Sequence, residues 1–329
     1  MTCGLKPYQA FLLIILLPSG SLVAQDAIFS QFFASPLYLN PAFAGAQHCS
    51  RLALNYRNQP FPEFGTFSAF NASYDQYSAA LSGGVGILAS SDHQGGLIMK
   101  NQIAAIYAYQ LQLSGRWHLH FGAQAGYYRK DLNWSKLQFM DQWNYDTGEI
   151  DAQTETEPDE TFRQSANFAA GVLFFDETYY FGFAAHHLTR PRESFFGDHR
   201  LAVKYTAHLG MTLYPGGAAR NAAAQEGFFV SPNVIIQTQA GRIRINYGAY
   251  VGLDPLVAGA WLRQNLERPN ALIFLLGITQ GNYRVGYSYD YSLSGYSAGI
   301  QGAHEISISL NLNCDTKNMK YRILNCPSF

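Results

Sequence analysis

From Gln102 to Lys130 apolar and polar residues alternate with a period of two, and this pattern constrains the fold more than any other feature of the chain. Ile103, Ala105, Tyr107, Tyr109, Leu111 and Leu113 share one face, while Gln102, Ala104, Ala108, Gln110 and Gln112 share the other, with only Ile106 off pattern. Trp117, Leu119, Phe121, Ala123, Ala125 and Tyr127 repeat the pattern against His118, His120, Gly122, Gln124, Gly126, Tyr128 and Lys130. Ser114-Gly115-Arg116 joins the two runs as a hairpin. A helix needs a period of 3.6, so these are strands with one apolar and one polar face. Further along, Ile243, Ile245, Tyr247, Ala249 and Val251 oppose Arg242, Arg244, Asn246 and Tyr250; Tyr283, Val285, Tyr287, Tyr289 and Tyr291 oppose Arg284, Ser288, Asp290 and Ser292. Charge falls on one face only.

The same reading over the whole chain predicts fourteen strands, near 51–58, 66–75, 83–90, 102–113, 117–130, 166–175, 179–187, 201–214, 227–239, 242–253, 255–264, 271–279, 283–292 and 303–313. An even number of roughly ten-residue alternating strands predicts an all-β, antiparallel transmembrane β-barrel, whose closure leaves no backbone group unpaired in lipid. Connection lengths alternate accordingly. Short turns at 114–116, 176–178, 254–255 and 280–282 are expected in the periplasm, and long loops at 91–101, 131–165, 188–200 and 293–302 outside the cell. Two joints break the rule, because 215–226 is long and 240–241 short, and the register around Pro232 is the least constrained. A soluble β-sandwich also alternates, but it fills its core with few tyrosines and exposes more charge. Charged residues are 14% of this chain, against about 25% in an ordinary soluble domain, and it has 22 Tyr and 23 Phe.

Ahead of the barrel, Lys6, the apolar run Ala10 to Leu17 and the small-residue exit PSGSLVAQ predict a signal peptide over 1–24. Cys3 precedes the apolar core, so it is not a lipidation site, and no later apolar run approaches a helical membrane span. A net charge of −1 excludes the basic stripe that nucleic acid requires. The rest divides into an irregular N-terminal segment over 25–50, the barrel over 51–313 and a periplasmic tail over 314–329. Pro36 and Pro41 rule out a regular helix or central strand in the segment QDAIFSQFFASPLYLNPAFAGA. Its Phe29, Phe32, Phe33, Leu37, Tyr38, Leu39 and Phe43 are too apolar to stay in water, so they are expected to pack into the lumen or against the periplasmic mouth as a plug. Phe32, Pro36, Leu37, Tyr38, Leu39, Asn40 and Pro41 are the candidate plug or partner contacts. Gln31 and Asn40 are the candidates for hydrogen bonds to lumen groups such as Arg284 or Glu305.

QFFASPLYLNPAFAGA resembles the N-terminal hallmark of the PorP/SprF family, outer-membrane proteins of the type IX secretion system of gliding and pathogenic Bacteroidetes. Further similarity follows in order at Leu54-Asn55-Tyr56-Arg57-Asn58-Gln59, Gly286-Tyr287-Ser288-Tyr289-Asp290-Tyr291, Gly302-Ala303-His304-Glu305-Ile306-Ser307 and the ending Cys326-Pro327-Ser328-Phe329. The resemblance implies an outer-membrane barrel that helps deliver or hold secreted adhesins, or other type IX cargo, at the cell surface and meets periplasmic components of the machine.

Catalytic motifs are imitated but not assembled. Gly295-Tyr296-Ser297-Ala298-Gly299 spells a nucleophile elbow, yet it lies between two strands where a strand-to-helix turn is required. His304-Glu305 opens like a zinc-protease motif, but position 308 is Ile and strand neighbours face opposite ways. Gly84-x-Gly86 sits within a strand, with no helix to complete a phosphate cradle. His118 and His120 share a face and would bind a metal only with a third ligand; a polar lumen lining is expected, with no metal and no cofactor. Arg57, Arg242, Arg244, Arg284, Asp290 and Glu305 are assigned to the lumen, as a charged ladder that fixes a plug or selects solute, or as charges that neutralise each other. Eight carboxylates between Asp141 and Glu160, with no Lys or Arg, predict a solvated loop in preference to a weak calcium site. Of the cysteines left after export, Cys314 and Cys326 are expected to pair across eleven intervening residues, with Cys49 free. Two functions fit: a non-enzymatic secretion and adhesin-anchoring barrel, or a porin or hydrophobic-solute channel. Lipid is a partner in both.

Overall fold

In the computed structural model, residues 26–47, 49–61, 65–114, 116–137, 139, 142–143, 160–215, 228–266, 268–293 and 302–312 are described. They form fourteen strands: β1 (Ser50–Phe61), β2 (Gly65–Ser78), β3 (Gly83–Gln94), β4 (Ile98–Ser114), β5 (Trp117–Leu132), β6 (Phe162–Phe175), β7 (Tyr179–His186), β8 (Lys204–Met211), β9 (Phe229–Gln239), β10 (Arg242–Leu253), β11 (Leu256–Asn265), β12 (Pro269–Gln280), β13 (Tyr283–Ser292) and β14 (Ala303–Leu312). Each pairs antiparallel with its sequence neighbour, and β14 pairs with β1 from Ser50↔Leu312 to Asn58↔His304, which closes the barrel. No helix among the described residues is long and apolar enough to cross a membrane. The barrel crosses by its strands.

The alternation becomes two surfaces. Tyr56, Ile87, Ile103, Phe121, Phe181, Leu276 and Ile306 point outward and are exposed, while Arg57, Asn71, His118, Asn246, Ser288 and Glu305 point inward and are buried. His304 and Glu305, strand neighbours, do face opposite sides. Ile106, the off-pattern residue of β4, is buried on the inner face in an apolar cluster that also contains Leu37 and Phe43. An apolar residue in the lumen is thus matched by an apolar occupant.

Several boundaries differ from the sequence expectation. The expected long loop at 91–101 is strand except for a turn at 95–97, and the β3–β4 ladder runs on through Ser91↔Asn101 and Asp92↔Lys100 to Gln94↔Ile98. Ser91 to Gln94 are all polar and Ile98 and Met99 are both apolar, so the alternation that marks a strand is lost on either side of the turn. For the same reason β6 begins at Phe162 and not at 166. In contrast β8 is shorter than expected, Lys204–Met211. The 240–241 joint is a tight hairpin with positive φ at both Ala240 (54°) and Gly241 (74°), as the two-residue turns matched to strand twist require. Pro232 pairs with Ala249 of β10 and lies one residue beyond the last β8–β9 pair, Gly210↔Asn233, where no donor is asked of it on the β8 side. The wall is uneven: β4 has 17 residues and β5 has 16, but β7 and β8 have 8 each.

Cys49 is disulfide-bonded and not the free thiol expected from the sequence. Cys314 and Cys326 lie outside the described residues, as do the Gly295–Gly299 motif and the acidic loop from Asp141 to 159 apart from Gln142 and Trp143.

Candidate functional site: the occupied lumen

Residues 26–47 fill the barrel. They enter beside the long-loop end, where Asp26 meets His187 and Lys204, and descend to the short-turn end, where Gly45 meets Asp75 just before β1 begins. Pro36 and Pro41 start its two helical stretches: a four-residue helix, α1 (Pro36–Leu39), and a 3₁₀ turn (Pro41–Phe43). Pro suits the first helical position, since its missing N–H would be unbonded there in any case. Asn40 separates the two, and its Oδ1 accepts the Ala42 N–H at 2.9 Å as an N-cap.

At the loop end the contacts are ionic. Asp26 Oδ2 lies 2.7 Å from Lys204 Nζ and 2.8 Å from His187 Nε2. Burial alone raises the Asp26 carboxyl, but the opposing His187 and Lys204 charges outweigh it and hold the group well below the usual carboxylate range. Further in, Glu305 accepts two consecutive backbone donors, Ser30 N–H at 2.6 Å and Gln31 N–H at 3.1 Å. The Gln31 amide donates to the Glu305 carbonyl at 2.9 Å and accepts from the Ser307 hydroxyl. The Ser30 hydroxyl donates to Asp290 at 2.7 Å and accepts from Arg57 at 2.7 Å and Arg263 at 2.8 Å. Both arginines also pair with Asp290 Oδ2, at 2.9 and 2.8 Å. Two arginines and two carboxyl groups therefore surround one serine of the plug. A buried charge is tolerable only when paired in this way.

Below this cluster the plug is apolar. Phe33 packs edge-on to Tyr180 (5.7 Å between centroids) and Tyr250 (6.3 Å), and Phe32 lies 5.1 Å from Trp261. Leu37, Ala42 and Phe43 are essentially inaccessible. Leu37 and Phe43 each contribute ~1.5–3 kcal/mol when removed from water.

At the turn end the backbone of the plug touches the backbone of the wall. Asn40 donates its amide to the Val172 carbonyl at 3.0 Å. A Cβ on Gly122 of β5 would lie 2.3 Å from Ala42 N, and one on Gly84 of β3 would lie 2.1 Å from the Ala44 carbonyl. The Gly84-x-Gly86 pair is therefore a recess for the plug. Gly45 adopts φ +67°, and its N–H donates at 2.8 Å to Asp75, which Arg51 grips through Nε at 2.9 Å and Nη2 at 3.1 Å.

A second element packs into the lumen at the loop end. The connection between β7 and β8 folds inward, where Glu193 pairs with Lys100 at 3.0 Å and accepts from Tyr128 at 2.7 Å, and its carbonyl accepts from Lys130 at 2.9 Å.

The family model described as "Type IX secretion system membrane protein PorP/SprF" matches residues 21–310. The chain belongs to this family. No curated protein sequence matches it at the level searched. Among solved structures it is similar to a CymD monoaromatic hydrocarbon channel (12% identity, TM-score 0.44, covering 88% of this chain and 95% of that one). It is also similar to a TodX deletion mutant, again a monoaromatic hydrocarbon channel (11%, 0.46, 84% and 94%), and to the KdgM porin (8%, 0.34, 79% and 99%). Likeness this distant carries nothing about what binds to or passes through a PorP/SprF barrel. Family and barrel together point to the outer membrane.

Of the PorP/SprF residues singled out from sequence, Phe32, Pro36, Leu37, Leu39, Asn40 and Pro41 are buried in the lumen and Tyr38 is half-buried, its hydroxyl donating to the Ala27 carbonyl at 2.9 Å. Arg57, Asp290 and Glu305 meet in one cluster; Arg284 is buried on β13, Arg244 is half-buried, and Arg242 is exposed at the strand end. The ladder is thus a compact quartet, completed by Arg263, which sequence reasoning missed although it is the one charged residue of β11. His118 and His120 are buried side by side on the inner face, and no group of three metal-ligating residues occurs among the described residues.

Proposed function

We infer that this PorP/SprF chain is a closed, non-enzymatic platform of the type IX secretion system, working by contact with proteins and not by passing solute. It helps secrete or anchor surface adhesins on its loop side and meets periplasmic components on its turn side. One observation carries the reading: residues 26–47 run through the lumen, and the buried Arg57, Arg263, Asp290 and Glu305 are engaged with them. A channel needs the opposite, an unblocked polar lumen whose charges face water. Because Phe32, Leu37, Leu39 and Asn40 are buried, their role is to hold the plug, and partners meet the rims that the plug stabilises.

The test replaces Leu37, Tyr38 and Leu39 together by Ser. The barrel should still insert and remain heat-modifiable, its reconstituted conductance should rise, and surface display of the adhesin should be lost. Normal display with unchanged conductance would return the segment to the status of a linker and favour the solute-channel reading.

A further inference from the structure

The outward face carries a groove as well as a flat lipid-facing band. It has a volume of 610 Å³ and starts at the turn end at Trp117, Phe174 and Tyr179, then crosses Phe181 and Leu209 to reach Val234 and Tyr247 half-way up the wall. Barrels are convex outward, so a hollow of this size must be filled by something. Water is excluded by the apolar lining.

The wall is also lowest at this place. β7 and β8 have 8 residues each, and strands tilted by about 40° with ~3.4 Å per residue stand only about 21 Å high, against about 25 Å for a usual apolar band. Hydrocarbon there must thin or tuck in. The groove is continuous with the lipid-facing surface and ends beside Arg116, whose side chain is 58% exposed, pairs through Nε with Asp176 at 3.2 Å and lies 5.5 Å from the Trp117 ring. An interfacial tryptophan with an adjacent cation is what a phospholipid head at that depth would meet.

We propose that the groove between Trp117 and Val234 is a binding site for one acyl chain of a phospholipid of the turn-side leaflet, with its phosphate at Arg116. Choosing the leaflet of the periplasmic side rests on the orientation inferred above. That orientation is tested separately by labelling a cysteine at position 115 with an impermeant maleimide on intact cells, so its failure is distinguishable from failure of the groove.

The full mature chain, purified from membranes and exchanged into phosphatidylethanolamine, is examined by native mass spectrometry after detergent stripping. Wild type should retain one phosphatidylethanolamine, and Arg116→Ala should retain it roughly tenfold less well. Leu209→Trp with Val234→Trp fills the hollow and should abolish retention, whereas Leu276→Trp, on the lipid-facing side of β12, should not. Retention by the filled variant, or equal loss in the Leu276→Trp control, overturns the proposal. A second readout needs no filled groove: phosphatidylethanolamine brominated on an acyl chain should quench wild-type fluorescence, and the quenched component should vanish in Trp117→Phe. Identical quenching in both proteins also overturns it.

Discussion

Replacing Glu305 by Ala should free the upper half of the plug while leaving the barrel and the lower half intact. In the wild type this carboxylate accepts the Ser30 and Gln31 amides at 2.6 and 3.1 Å and lies 3.5 Å from Arg57. Alanine strands two buried donors, at ~1–3 kcal/mol each. It also removes one partner from a buried charge cluster, which by itself costs ~3–5 kcal/mol. These figures describe overlapping losses, so ~3–5 kcal/mol is the working value, and at ~1.4 kcal/mol per decade local opening should rise by roughly two to three and a half orders of magnitude. Below the cluster Leu37, Ala42 and Phe43 pack independently of Glu305, so opening should stop near Phe33. Hydrogen exchange read by mass spectrometry on peptides covering 26–33 and 37–47 measures both halves in one experiment. Protection in 26–33 should fall by that factor, with 37–47 unchanged. Glu305→Gln keeps one acceptor oxygen and should lose less, which guards against a variant that does not insert. If 26–33 keeps its protection to within tenfold in Glu305→Ala, the cluster does not hold the plug and the reasoning fails.

Gly122→Val would drive a side chain into Ala42, 2.3 Å from where a Cβ would sit, and should weaken plug seating by ~1–3 kcal/mol, read as raised conductance from a barrel that is still heat-modifiable; a silent electrical record would show that the wall yields. The Asp26 latch has a sign that can be checked against pH. Its carboxyl is held below the ordinary 3.8, so its contribution is complete above that value and is lost as pH falls through the lower folded-state value. Exchange at 26–29, corrected for intrinsic rates, should therefore accelerate on the acid side, below about pH 4, and Asp26→Asn should be faster above that step and lack it. A loss of protection in Asp26→Asn that kept the same acid step would assign that step to another group. Non-reducing peptide maps should recover the Cys49 peptide cross-linked; labelling of Cys49 by maleimide without prior reduction would contradict the bond.

How much of this was legible in the sequence depended on how local the deciding interaction was. Each strand advertises itself, because its two faces meet lipid and lumen, and each partner is the next strand along, so Ile103 to Lys130 already implied a hairpin and the repeated hairpins a closed barrel. The signal failed where alternation lapses, at Asp92 to Asn101, although the backbone ladder continues up to the turn at 95–97. Composition also dictated that Phe29 to Phe43 be covered, since so many aromatics cannot remain in water. What covers them was decided only by closure of the barrel. Gln31 reaches Glu305 across 274 positions and Ser30 reaches Arg263 across 233, and no local pattern singles out those pairs. Arg263 was missed for that reason, and Gly84 was first weighed against a phosphate when its missing side chain makes room for Ala44. Periodicity records which medium a residue faces, whereas the identity of the neighbour across the lumen exists only once fourteen strands bring the two ends of the chain together.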